Sequence, residues 1–108
     1  MAASAKSLDR FEPSQLDLVR GILSRRIPGA KVWIFGSRSR GEGVRSSSDL
    51  DLAVDAGHKM DLALLAELRE DFDESPLPFS VDVVDLHAMD PGFRKLVEPE
   101  FRALDDAR

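Results

Sequence analysis

Lys31-Val-Trp-Ile-Phe-Gly-Ser-Arg-Ser-Arg-Gly41, followed after a polar stretch by Ser48-Asp-Leu-Asp-Leu-Ala-Val54, decides the fold of this chain. The first segment opens as a β-branched and aromatic run from Lys31 to Phe35, which reads as a buried strand. Gly36 ends it, and a Ser/Arg/Gly-rich connection begins. In the second segment Leu50, Leu52 and Val54 alternate with Asp49, Asp51 and Ala53, the period of a strand with two unlike faces. Asp49 and Asp51 therefore point to one side, with about 6–7 Å between their Cβ atoms.

Working outward, Leu16, Val19, Ile22, Leu23 and Ile27 recur at helical spacing, and Pro28-Gly29 stops that helix. Met60 to Phe72 returns to the helical period through Leu62, Leu65, Leu68 and Phe72. Phe79 to Val84 alternates again, with Val81 and Val83 on one face and Ser80 and Asp82 on the other. Asp90-Pro91 is an N-cap and first-turn pair that opens a last helix through Phe93, Leu96 and Val97, with Pro99 near its end. The expected architecture is an α/β (α+β) domain: a small three-stranded mixed sheet with helices packed on one face. Residues 1–9 are small, polar and unpatterned and are expected to form a mobile tail, leaving 10–108 as one domain.

The chain's 108 residues suffice for one compact core. Hydrophobic residues at 43% and charged residues at 32% describe a globular protein. The absence of cysteine excludes disulfides, thiolate–zinc sites and a cysteine nucleophile. No apolar run is long enough to span a bilayer, and Met1 to Lys6 lacks the apolar stretch of a signal peptide, so a cytoplasmic protein is expected. A net charge of −5 disfavours nucleic acid as a direct partner. Charge is uneven, with Lys31, Arg38, Arg40 and Arg45 against Glu42 before Ser48 and carboxylates dominating afterwards. A triphosphate with its metal ions suits that asymmetry, and so does an ordinary solvated surface.

The chemistry rests on a constellation. Two divalent ions in a phosphoryl-transfer site lie about 3.5–4 Å apart, a gap that a same-face Asp-x-Asp pair brackets. Mg takes one or two carboxylates together with phosphate oxygens and water. An isolated Asp-x-Asp is far more often a solvated strand face, but this one has company. Gly36-Ser37 follows directly after a strand, where Gly lets a phosphate approach the backbone and Ser and backbone N–H groups donate to it. Arg38 and Arg40 bring fixed positive charge. Asp82, 31 positions after Asp51, sits in an otherwise apolar strand where an unpaired carboxylate is costly, and it shares the face of Asp49 and Asp51. Asp85 falls on the other face. Trp33 is expected in the core rather than on a base, and His58 and His87 have no ligand spacing.

The combination of Phe35-Gly-Ser-Arg-Ser-Arg-Gly41, Ser48-Asp-Leu-Asp-Leu52 and Val81-Asp-Val-Val84 resembles the minimal nucleotidyltransferases of the DNA polymerase beta-like superfamily, from about Ser14 into the helix after Asp90. The resemblance implies that Asp49 and Asp51 bind two Mg ions. It also implies that Asp82 binds the catalytic ion and helps deprotonate the attacking hydroxyl. Gly36 and Ser37 would hold the β- and γ-phosphates of ATP, with Arg40 as the basic phosphate ligand and Ser48 touching the triphosphate. The implied reaction is in-line attack on the α-phosphorus with loss of pyrophosphate. A chain this short resembles MNT-type antitoxins, which pair with HEPN-type ribonuclease toxins and in some cases transfer AMP onto them. Two alternatives stand beside an active antitoxin: a binding module that neutralises its partner by contact, and a transferase acting on a small molecule such as an aminoglycoside. One departure is present: residues 38–48 are one more than the family commonly has between these motifs.

Overall fold

In the computed structural model, residues 12–36 and 49–104 are described. The expected tail, and the expectations placed on Ser37, Arg38, Arg40 and Ser48, lie outside the described residues. Helix α1 (Pro13–Arg26) begins with Pro13 at its first position, and the Gln15 side chain accepts from the Glu12 N–H at 3.0 Å. It ends at Ile27, with Gly29 in the left-handed region at φ +81°. Strand β1 (Lys31–Phe35) follows, then β2 (Leu50–Asp55) and α2 (Leu62–Asp73), the latter capped by the Asp61 carboxylate, which accepts from Ala63 N–H. Strand β3 (Val81–Asp85) leads through a 3₁₀ turn at Leu86–Ala88 into α3 (Pro91–Val97), where Asp90 accepts from Phe93 N–H at 3.1 Å. A second 3₁₀ turn, Glu98–Glu100, brings the chain to β4 (Arg102–Ala103).

The sheet order is β3-β2-β1-β4. β1 is antiparallel to both β2 and β4, and β2 is parallel to β3, so the sheet is mixed. Ile34, Leu50, Leu52, Val54, Val81 and Val83 face α1 and α2 and form the main core with Leu16, Val19, Ile22, Leu68 and Phe72. Polar contacts lock this layer. Arg26 at the end of α1 pairs with Asp71 of α2 through bonds of 2.6 and 3.2 Å, and Arg69 of α2 donates twice to the Val83 carbonyl on β3, at 3.2 and 2.8 Å.

Two expectations are corrected. The sheet has a fourth strand: Arg102 and Ala103 pair with Ile34 and Trp33. Two residues are too few to show an alternation, and Pro99 hides the strand by ending the helix just before it. The helices also do not keep to one face. β1 is apolar on both sides: Ile34 is covered by α1 and α2, and Trp33 and Phe35 need cover on the opposite face. That cover comes from Val97 of α3 with Leu86, Met89 and Phe101, a smaller second core over Phe35 and Ala53. Phe101 stacks on Trp33, with ring centroids 5.8 Å apart and 20° between planes. Among the described residues no helix is long and apolar enough to cross a membrane.

Candidate functional site

The alternation of β2 that buries Leu50 and Leu52 under the helices turns Asp51 to the second face of the sheet. The alternation of β3 does the same to Asp82 between Val81 and Val83. The parallel register then sets Asp51 directly opposite Asp82 on neighbouring strands, which run about 4.8 Å apart. Asp51 is half-buried because β2 is an inner strand, whereas Asp82 is exposed because β3 is a sheet edge. The expectation that Asp82 carries a desolvation cost is thereby corrected: edge position gives its carboxylate water. Asp49 lies just before β2, exposed, and lines a shallow polar groove of about 340 Å³ with Asp73, Ser75 and Ser80.

Gly36 completes the edge from the other side. Phe35 pairs with Asp51 across β1 and β2, so the residue after Phe35 lies against the Asp51 side chain. Gly36 adopts φ +81°, and a Cβ there would run into Asp51 Oδ2 and lie 3.3 Å from its Cγ. On its other side the Gly36 N–H donates to Glu100 Oε1 at 3.0 Å. Because β1 runs antiparallel to its neighbours, the site gathers the C-terminal end of β1 with the N-terminal ends of β2 and β3. The rule for open parallel sheets, which places ligands at the C-terminal strand ends, therefore describes only Gly36 here.

Asp51 and Asp82 thus converge at one edge of the sheet beside a turn that tolerates no side chain. Hard oxygen donors of this kind suit Mg, which completes its shell with water and phosphate rather than a closed protein cage. Among the described residues no three acidic or histidine side chains come together as a group that could hold a metal ion, so the convergence is of Asp51 and Asp82 alone. A groove of about 570 Å³ lies elsewhere, between α1 and the β1–β4 edge, and its lining, which includes Arg20, Leu23, Lys31 and Trp33, holds no carboxylate.

At the opposite end of the strands the carboxylates have structural roles. Asp85 is buried and accepts from Met60 N–H at 2.7 Å and His87 N–H at 3.0 Å, joining the β2–α2 connection to the turn after β3. Asp55 accepts from Gly57 N–H at 2.8 Å and meets His87 Nε2 at 2.5 Å. The Gly57 hydrogen bond, and then His87, hold the Asp55 carboxyl below its ordinary range. Sequence reasoning missed Glu100 altogether: it lies 64 residues from Gly36 in a polar Glu-Pro-Glu run that carries no local signal.

The family model for polymerase beta nucleotidyltransferases matches residues 19–101. The chain is 34% identical over 96 residues to a probable protein adenylyltransferase MntA of Haemophilus influenzae, covering 89% of this chain and 83% of that one. Among solved structures, one of a toxin-antitoxin with AMP-PNP superposes with a TM-score of 0.67 at 29% identity, covering 85% of this chain and 77% of that one. A chain from the complex of a tri-AMPylated Shewanella oneidensis HEPN toxin with its MNT antitoxin superposes at 0.63 and 27% identity, covering 82% of this chain and 67% of that one.

Proposed function

Because the chain belongs to the polymerase beta nucleotidyltransferase family, we propose that it transfers AMP from Mg-bound ATP onto a hydroxyl of a partner protein, as the antitoxin of a cytoplasmic HEPN-type toxin. The observation that carries the reading is the register of Asp51 against Asp82 beside the Gly36 turn. The H. influenzae relative is named for protein adenylylation, and the structural neighbours include a complex with an ATP analogue and one with an AMPylated toxin.

In this reading Asp49 and Asp51 hold the metal ions and Asp82 binds the ion at the reacting centre. When bound, Mg neutralises charge on the triphosphate and on the attacking oxygen. Asp82, exposed at the sheet edge, receives the acceptor hydroxyl's proton. The acceptor oxygen bonds to the α-phosphorus, the bond to the β-phosphate oxygen breaks, and pyrophosphate leaves. Gly36 allows the triphosphate to approach the backbone, with Ser37, Arg40 and Ser48 as its further ligands.

The test is thermal. Mg with AMP-PNP should raise the melting temperature, because it binds only the folded chain and relieves repulsion among the carboxylates. Asp49→Asn combined with Asp51→Asn should lose the gain while remaining at least as stable without ligand. Equal ligand-induced shifts in both proteins would refute the metal-site assignment.

A further inference from the structure

Glu100 reaches the site from the end of the chain, and its backbone is pinned to the strand that Gly36 terminates. Phe101 stacks on Trp33 and packs against Phe35 at 5.9 Å, while Arg102 and Ala103 pair with Ile34 and Trp33. Phe101 N–H donates to the Glu98 carbonyl at 3.0 Å, and the Leu104 carbonyl accepts from Arg20 at 3.3 Å. A half-buried carboxylate on so fixed a segment is a directed hydrogen-bond acceptor, and its Oε1 takes the Gly36 N–H at 3.0 Å.

We propose that Glu100 is a positioning residue for the nucleotide, an inference that rests on the nucleotidyltransferase reading above. The Gly36 peptide is held from two sides. Asp51 occupies the space that a Cβ would fill, and Glu100 holds the N–H. With φ at +81° and no side chain, Gly36 has wide backbone freedom, and these two carboxylates remove it. The Gly36 N–H is therefore committed to the turn, and its part in phosphate binding is the shape it leaves beside Asp51. A carboxylate so near a triphosphate is unfavourable by charge alone, so a competing role is that of an anionic stand-in which the phosphate displaces. The two roles predict opposite effects of removing the charge.

Isothermal titration of the full chain with Mg–AMP-PNP, together with melting curves without ligand, separates them. Glu100→Gln keeps an acceptor at the same reach and should bind within about threefold of wild type, whereas Glu100→Ala should bind roughly tenfold more weakly, the lower end of what a charge-assisted hydrogen bond contributes. Glu100→Asp, which keeps the charge but falls short of the N–H, should behave like Glu100→Ala and carries the test if the alanine variant fails to fold. Tighter binding in both Glu100→Gln and Glu100→Ala would overturn the proposal in favour of a displaced stand-in. Lowered melting temperatures with unchanged affinity would overturn it in favour of a purely structural role. Unchanged affinity in every variant, with wild type binding normally, would refute the role of Glu100 and leave the nucleotidyltransferase reading standing. A wild type that does not bind would overturn both.

Discussion

Replacing Gly36 by alanine separates what the turn does for the fold from what it does for the site. At φ +81° an alanine enters the left-handed region at a cost of about 1–2 kcal/mol. Stiffening the unfolded chain returns about 0.4–1 kcal/mol. The net loss of about 1 kcal/mol lowers the melting temperature of a domain this size by roughly 4–8 °C. Gly29 has the same φ with nothing within 4 Å of its Cβ position, so Gly29→Ala reports this backbone cost alone. At Gly36 the new Cβ meets Asp51 Oδ2, and the carboxylate must rotate away, adding up to about 1.5 kcal/mol if it leaves its rotamer well. Gly36→Ala should therefore lose at least as much stability as Gly29→Ala, and up to about 1.5 kcal/mol more, in thermal denaturation followed by circular dichroism. Only Gly36→Ala should lose the stabilisation by Mg–AMP-PNP, since only there is Asp51 displaced. Full retention of the ligand-induced shift in Gly36→Ala would refute the coupling of the turn to the carboxylate.

Asp82→Asn should abolish transfer while largely sparing nucleotide binding, because the loss falls on the chemical step; single-turnover assays with α-labelled ATP and a partner protein report it. Asp85→Ala should cost about 2–4 kcal/mol in urea denaturation, since it orphans the N–H groups of Met60 and His87 beneath the turn after β3. Folding holds the Asp55 carboxyl below its ordinary range, so its stabilisation is complete above the ordinary carboxylate value and is lost as the pH falls through the lower folded-state value. Acid titration of stability should accordingly fall less steeply in Asp55→Asn than in wild type below about pH 4.

Strong periodicity made most of the frame legible in the sequence. β1 runs from Lys31 to Phe35 as its β-branched and aromatic composition requires, and the alternation in β2 and β3 turns Asp51 and Asp82 away from the helices. Asp85, read as lying on the other face, is buried there as a cap. The missing parts depend on contacts between distant segments. β4 is two residues long and exists because Phe101 stacks on Trp33, a pairing with no local signature. Glu100 meets Gly36 only after α3 has crossed the second face. The exposure of Asp82 follows from strand order, which alternation does not encode.

The most direct measurement combines this protein in substoichiometric amount with a HEPN-type toxin, Mg and α-labelled ATP, and follows both label and toxin activity. The account predicts that the toxin gains the mass of one or more AMP groups and loses activity over repeated turnovers, while the Asp51→Asn protein neither labels nor protects. Protection that needs about one copy per toxin, proceeds without ATP and survives Asp51→Asn would contradict it.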